Sequence, residues 1–329
     1  MSKIEVVGLG ALNMDYIYRV EHILDDGETV VEESTLSPGG SAANTIYGLA
    51  KLGVATGFTG AVGDDDDGKR LVQDLEKAGV DTSQIKVKPG VRTGSVLCLS
   101  DRLGRRSLYV TPGANSWLTM DDLDFTYISR AKMLHLSSFA HEQQFRVLLE
   151  LVGRLDSSVK ISFAPGTLHS TKGLEALTPI LARTYILFAN HHEIRKLTGQ
   201  DIIPGAESCL KQGCRIVVVT LGQGIQMELG KGTGRRSVMA ACYIRDVANE
   251  YVIEPAGPDV EPVKDSTGAG DAFAAGFLYG LLNNKGLEVS GRSGNIIAQF
   301  CITKVGARAG LPTLGELSQR YQELYNKEL

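Results

Sequence analysis

Nowhere in the 329 residues does an apolar run approach the roughly 18 needed to cross a bilayer, so no membrane-spanning helix is expected. Excess charge is missing as well. Lys and Arg number 34 against 38 Asp and Glu, a net charge of −4, which supplies no electrostatic footprint for nucleic acid or an anionic membrane. Cysteine is sparse: Cys98, Cys209, Cys214, Cys242 and Cys301 are scattered and odd in number, with no cluster of other ligand types to suggest zinc. They read as reduced, buried thiols in a cytoplasmic protein. Met1-Ser2-Lys3 leads straight into a short apolar strand, so no secretory signal is expected. Internal repeats and low-complexity linkers are also lacking. What remains is an ordinary globular composition, 43% hydrophobic and 22% charged, long enough for one large core or two moderate ones.

Two familiar nucleotide motifs are absent. No Walker A pattern occurs. Gly8-Leu9-Gly10 starts like a dinucleotide fingerprint, but position 13 is Asn where the third glycine belongs. The stretch from Met14 to Val20 is aromatic and β-branched, hence extended, so the strand–glycine–helix context of a nicotinamide site is missing.

What is present is Val263-Lys264-Asp265-Ser266-Thr267-Gly268-Ala269-Gly270-Asp271-Ala272-Phe273, running into an apolar helix. A chain that turns on Gly-Ala-Gly and enters a helix points several backbone N–H groups at one spot, and the helix dipole adds positive potential there. That spot suits a phosphate, and Asp271 beside it could take a proton; an anion cradle next to a base is what phosphoryl transfer to a hydroxyl needs. On the motif alone, an N-cap aspartate after a glycine turn is an equal reading.

Elsewhere, strands at residues 4–7, 55–62, 133–136, 160–163, 185–189 and 216–220 alternate with a helix that opens at 38–44 and runs through 52 and with helices near 69–78, 121–130, 142–155, 171–183, 191–198 and 205–213. This alternation predicts an α/β fold, a three-layer α/β/α arrangement with a mostly parallel central sheet. Helices at 271–283 and 290–304 close it. Extended segments near 12–20, 29–36, 93–100 and 107–111 break the alternation and group best as a small antiparallel β lid. The expected division is a body of residues 1–11, 38–90 and 113–329, and a lid of residues 12–37 and 91–112 with a charged hairpin tip at Asp101–Arg106. The acidic run Asp64–Asp67 reads as helix capping.

Three segments carry a resemblance to the ribokinase-like (PfkB) carbohydrate and nucleoside kinase family: Ser37-Pro38-Gly39-Gly40-Ser41-Ala42-Ala43-Asn44, Asn190-His191-His192-Glu193, and Asp265 to Phe273. The resemblance runs from Val6 to Pro312. It implies a kinase using ATP and Mg²⁺, with Asp271 as general base and Gly268, Ala269 and Gly270 as the anion hole. It implies that Asn13, Asp15, Gly39, Gly40 and Asn44 clamp the sugar, a role that carboxylates and amides suit because sugar hydroxyls both donate and accept. Asn190 and Glu193 would organise phosphate and Mg²⁺ through water; Thr220, Gly222 and, more loosely, Asn295 would bind the nucleotide. His191 and His192 read as solvent-facing or packing residues.

Departures from the family pattern limit what carries over. Ser162-Phe163-Ala164-Pro165-Gly166 differs from the usual loop, so its contacts are not carried over. Cys301, Lys304 and Gly306 sit where some members offer carbonyls to a monovalent cation, and Arg308 falls nearby as a competitor, so only weak potassium activation is expected. Tyr16, Tyr18, Tyr109 and Phe139 could form an aromatic wall for a nucleobase, or could be lid core. Arg105 and Arg106 could meet a sugar phosphate, but a hairpin tip favours solvation. The acceptor is read as ribose or a ribonucleoside, with a sugar-phosphate kinase as an alternative. A non-catalytic sensor on the same fold is a further alternative, which the intact Asp271 and Gly268–Gly270 disfavour. The donor, ATP or ADP, stays open. Pairing of lid strands predicts a homodimer.

Overall fold

The structure, a computed structural model, describes residues 3–102, 105–229, 236–257 and 260–329. The expected hairpin tip at Leu103-Gly104 and the first residues, Met1 and Ser2, lie outside the described residues. In chain order the first elements are β1 (Val6–Leu9), β2 (Asn13–Val20), β3 (Val31–Gly39), α1 (Ser41–Lys51), β4 (Thr56–Gly63), α2 (Asp66–Lys77), β5 (Asp81–Lys88), β6 (Gly94–Asp101) and β7 (Arg106–Thr111). Then follow α3 (Phe125–Ser129), β8 (Met133–Ser137), α4 (Glu142–Arg154), β9 (Lys160–Ala164), α5 (Gly166–Ser170), α6 (Gly173–Leu181), β10 (Thr184–Asn190), α7 (His191–Thr198), α8 (Ile202–Lys211) and β11 (Ile216–Leu229). The chain ends with β12 (Arg236–Asp246), β13 (Glu250–Ile253), α9 (Ala269–Leu282), α10 (Leu287–Cys301) and α11 (Leu314–Tyr325).

A nine-stranded sheet runs β13-β12-β11-β10-β9-β8-β1-β4-β5, parallel from β11 to β5 and antiparallel at β12 and β13. β1, β4 and β8 are buried at every position, as strands covered on both faces must be. Alternate side chains serve opposite cores: Val7 and Leu9 of β1 join the apolar cluster under α4, α6, α7 and α8, whereas Val6 joins that under α1, α2 and α9. α10 and α11 pack outside α9. Contact there is close, because a Cβ on Gly276 of α9 would come within 2.7 Å of the Ser293 carbonyl oxygen on α10. No helix among the described residues is long and apolar enough to cross a membrane.

Several elements escaped the sequence pattern. β5 is a polar edge strand, β12 and β13 are an antiparallel extension beyond the last parallel strand, and α11 follows the expected end of the helical block. Of residues 171–183 only Gly173–Leu181 is helical, as α6, with the short α5 lying just before the stretch, and 121–130 supplies a 3-10 turn and the five-residue α3. Thr220–Gly224 is a bulge inside β11, where pairing with β12 shifts between Thr220 and Ile225.

The expected small sheet has the order β3-β2-β6-β7. Its outer pairs are antiparallel, but β2 and β6 run parallel, because α1, β4, α2 and β5 intervene between them as a crossover instead of a hairpin. The register puts Asp15 beside Val96 and Val110, and Ile17 beside Cys98 and Leu108, on one face. Tyr16 falls beside Leu36, Leu97 and Tyr109 on the other.

Candidate active site

Four parallel strands end at one edge of the large sheet, and residues at or just beyond those ends line connected cavities: Ala11 after β1, Ser138 after β8, Ala164 of β9 and Asn190 of β10, joined by Thr220, where the parallel pairing of β11 with β10 stops. The crevice beyond the carboxyl ends of parallel strands is where open α/β sheets bind ligands. The inward face of the small sheet covers part of it, which makes that sheet a lid.

At the centre, Gly268 (φ +77°) makes the left-handed turn into α9 and is followed by Ala269, Gly270 and Asp271 in the first helical turn. A Cβ on Gly268 would collide with Ala307, so the turn needs glycine on two counts. No side chain caps α9. The first-turn N–H groups therefore have no helical acceptor and face the cleft. The Ala269 N–H bends back on the Ser266 carbonyl at 3.3 Å, a long bond that an anion could displace.

The alternative of Asp271 as a simple cap is not what the geometry holds. Its Oδ1 accepts from the Ser41 hydroxyl at 2.7 Å, and its Oδ2 from the Asn44 amide at 2.9 Å. Thr45 donates to the Asp271 carbonyl at 3.2 Å. Ser41, Asn44 and Thr45 all belong to α1, whose N-terminus thereby meets that of α9. Burial raises the Asp271 carboxyl to about 6; hydrogen bonds from Asn44 and Ser41 oppose the rise, Glu193 adds to it, and Arg308 lowers it.

On one side of Asp271 lies an acceptor-sized cavity. Asn13, Asp15, Gly40 and Asn44 line it, joined by Asn115, Ser138, His141 and Gln144. Gly39 stands behind, where a Cβ would collide with the Asp15 carboxylate. Asn115 was not expected in the site. It is buried, donates to Asn13 Oδ1 at 2.9 Å and bridges the Leu12 backbone, so it fixes which end of the Asn13 amide faces the cavity. Gln144 donates to the Ser116 and Leu118 carbonyls, leaving a buried Oε1 with no hydrogen-bond partner in the structure. Asp15 is raised to about 7, chiefly by burial; Arg308 opposes this, and Asp271 and Asp265 add to it.

The proposed aromatic wall is corrected by the lid register. Of its four members only Phe139 lines the cavity. Tyr16 donates to Asp67 on α2 at 2.6 Å, Tyr18 borders a separate surface hollow, and Tyr109 is 57% exposed. The inward residues are instead Ile17, Val96, Cys98, Leu108 and Val110.

On the other side, Thr220, Gly222 and Asn295 line a cleft with Ala269, Gly270 and Phe273. Between the two, Asn190, Glu193 and Arg106 surround Gly268–Asp271. The Asn-x-x-Glu motif is a capping box: Asn190 Oδ1 accepts from the His192 and Glu193 N–H groups, and Glu193 Oε2 accepts from the Asn190 N–H. Burial is the main force raising the Glu193 carboxyl above its usual range. The imidazoles of His191 and His192 stack at 3.8 Å. Among the described residues no cluster of acidic, His and Cys side chains could hold a metal by itself.

Two arginines depart from expectation. Arg105 pairs with Asp101 as a surface residue would, but Arg106 donates to Thr267 Oγ1 at 3.0 Å and lines a cavity with Gly268, Ala269 and Gly270. Arg308 does not reach towards a potassium-binding set of carbonyls. Its guanidinium is engaged by Asn44 Oδ1 (2.9 Å), Asp74 Oδ2 (2.7 Å) and the Gly39 carbonyl (3.1 Å). Asp265, the first residue of the glycine motif, ties that loop to the segment carrying Arg308 by accepting from the Gly306 N–H at 2.9 Å.

A lidded α/β sheet with an uncapped helix N-terminus between two cavities beyond the strand ends is an arrangement suited to a phosphotransferase acting on a hydroxyl group. The comparisons agree. The description pfkB family carbohydrate kinase matches residues 1–314. An uncharacterized sugar kinase of Archaeoglobus fulgidus is 35% identical over 265 residues, covering 80% of this chain and 98% of its own. An ATP-dependent ribose-1-phosphate kinase of Halopiger xanaduensis is 29% identical over 325 residues, covering 98% of this chain and 100% of its own. The solved ribokinase of Arabidopsis thaliana, complexed with ribose and ATP, has a TM-score of 0.79 at 22% identity and covers 96% of this chain and 98% of that one. The chain belongs to the pfkB family of carbohydrate kinases.

Asp15 gives a test of the electrostatics without any substrate. Its folded carboxyl, raised from 3.8 to about 7, holds a proton that the unfolded chain has released, so stability falls as pH rises through that window. Asp15→Asn escapes this penalty. It should raise Tm by a few degrees above about pH 7, with the gain shrinking towards pH 4, as read by calorimetry across pH. A gain that is constant or absent across the range would contradict the raised carboxyl.

Proposed function

We propose that the protein transfers the γ-phosphoryl group of ATP, as its Mg²⁺ complex, to a hydroxyl of a small neutral sugar or ribonucleoside. The observation that carries this reading is Asp271, held by Ser41 and Asn44 at the mouth of the acceptor cavity and beside the uncapped first turn of α9. Asp271 takes the hydroxyl proton while that oxygen bonds to the γ-phosphorus. The bond from the γ-phosphorus to its bridging oxygen breaks, and ADP leaves. The N–H groups of Gly268, Ala269 and Gly270 stabilise charge on the transferring group, and Arg106 adds a countercharge. Asn190 and Glu193 would hold Mg²⁺ through water, and the metal supplies neutralisation of phosphate charge. The lack of a preformed cage fits this, since Mg²⁺ keeps several waters and is bound largely by substrate phosphates.

Neutral acceptors are favoured over sugar phosphates because the described residues lining the acceptor cavity include no Lys or Arg. A sugar phosphate would call for such a countercharge. Five buried, unpaired thiols support a cytoplasmic setting. The outward row Leu36, Leu97 and Tyr109, 48%, 38% and 57% exposed, supports pairing of two copies through the lid; a monomer in sedimentation at micromolar concentration would contradict it.

The test is turnover with Mg·ATP over ribose, ribonucleosides, other neutral sugars and sugar phosphates. Neutral acceptors should react and sugar phosphates should not; the reverse preference would overturn the acceptor reading. Asp271→Asn should lose at least about three orders of magnitude in kcat with nucleotide binding near normal. Since only the ionised carboxylate accepts the proton, wild-type kcat/KM should fall as pH drops through about 6. Activity surviving in Asp271→Asn would remove it as the base.

A further inference from the structure

We infer that Arg308 is a positioning residue for phosphoryl transfer, orienting the Asn44 amide so that its N–H₂ faces the Asp271 carboxylate. The inference rests on the reading of Asp271 as general base. An asparagine amide has an accepting end and a donating end of nearly the same shape, so something outside it must choose which faces the base. Arg308 makes that choice because a guanidinium only donates and stays charged. Its Nε–H donates to Asn44 Oδ1 at 2.9 Å, and Asn44 Nδ2 donates onward to Asp271 Oδ2 at 2.9 Å. With the amide turned over, Nδ2 would meet the Nε–H and Oδ1 would meet the carboxylate, two repulsive contacts in place of two attractive ones.

Arg308 is itself fixed. Its side chain is 4% exposed, Nη1 is bound to Asp74 Oδ2 at 2.7 Å, and Nη2 to the Gly39 carbonyl at 3.1 Å. The guanidinium carbon lies 5.3 Å from the Tyr47 ring centroid. One side chain thus ties α2, the end of β3 and α1 to the segment after α10. A buried ion pair of this kind contributes little net stability compared with apolar packing, so its geometry, more than its energy, is the informative property. Its charge also reaches the cavity. The charged groups acting on Asp271 are Glu193 from α7, which favours the protonated form, and Arg308, which favours the base; Asp15 of β2 also faces the acceptor cavity.

The test compares Arg308→Gln, Arg308→Lys, Asn44→Ala and the double variant Arg308→Gln/Asn44→Ala, reading kcat/KM against pH and nucleotide Kd. Arg308→Gln should lower kcat by about tenfold or more, move the acid limb up by about one pH unit, and leave nucleotide Kd within about twofold. The double variant should be hardly worse than Asn44→Ala, because both act through one amide. Arg308→Lys keeps the charge without the Nε–H geometry; its acid limb should stay near wild type while kcat falls. That variant carries the test if Arg308→Gln does not fold. A purely structural role would lower Tm, leave the acid limb in place and make the two losses multiply in the double variant; that result would overturn the proposal. Failure of the base reading is separately visible, as activity in Asp271→Asn.

Discussion

The structure turns on the meeting of two helix N-termini at one carboxylate. Asp271 lies in the first turn of α9, where an acidic side chain ordinarily caps its own backbone. Here it is bound by Ser41 and Asn44 from the first turns of α1. This crossing of partners leaves the start of α9 without a side-chain cap and gives the carboxylate a fixed direction. It also requires both helices to dock on the same face of the sheet, which their shared apolar cluster achieves. The close approach at Gly276 then holds α9 against α10 from outside. The large core is the frame that keeps two short stretches, 40–45 and 268–271, in register.

The lid follows a different rule. Its strands alternate, and the alternation assigns Asp15 and Ile17 inward and Tyr16 and Tyr18 outward. Grouping aromatic residues by nearness in sequence places both tyrosines in the acceptor pocket; period two removes them. The cavity that results has a polar end at Asn13, Asp15, Asn44 and Asp271, and an aliphatic roof. Such a surface excludes water and tolerates a ring or base without specifying it, so hydrogen bonds at the polar end and the unpartnered Gln144 oxygen must supply the directionality.

Legibility in the sequence followed the range of the interaction. Glycine turns and the alternation of buried strands with helices are local, and they indicated the parallel core, the lid segments and the Gly268–Asp271 stretch, whereas Asn190–Glu193 stood out only through the family resemblance and proved to be a capping box. The polar edge strand β5 carries no strong apolar pattern, and β12 and β13 extend the sheet antiparallel after the alternation has ended, so neither was anticipated. Asn115 and Arg308 were missed as site residues for a different reason. Each acts through partners far away in the chain, about 100 residues for Asn115 with Leu12 and Asn13, and 264 residues for Arg308 with Asn44. No spacing rule connects such positions. The resemblance set Arg308 beside a cation site as a competitor for potassium, whereas its side chain reaches across to α1, α2 and the end of β3.

The two arginines near the reaction centre act under different physics. Arg308 is desolvated and locked, so its field is little screened and acts in every state of the protein. Arg106 is exposed, on a lid strand, and borders the anion hole only at its rim. In water its charge is screened over about 8 Å at physiological salt, and its contribution grows as bulk water leaves the cleft. The buried positive charge that lowers the Asp271 carboxyl against the rise from burial therefore sits behind the Asn44 amide, away from the cavities. Under the proposed reading, that permanent charge would serve the base, while α9 and the exposed Arg106 would meet the phosphates from the solvent side. Three acidic side chains, Asp15, Glu193 and Asp271, would then share one site with a polyanion because the countercharges lie on two different sides of it.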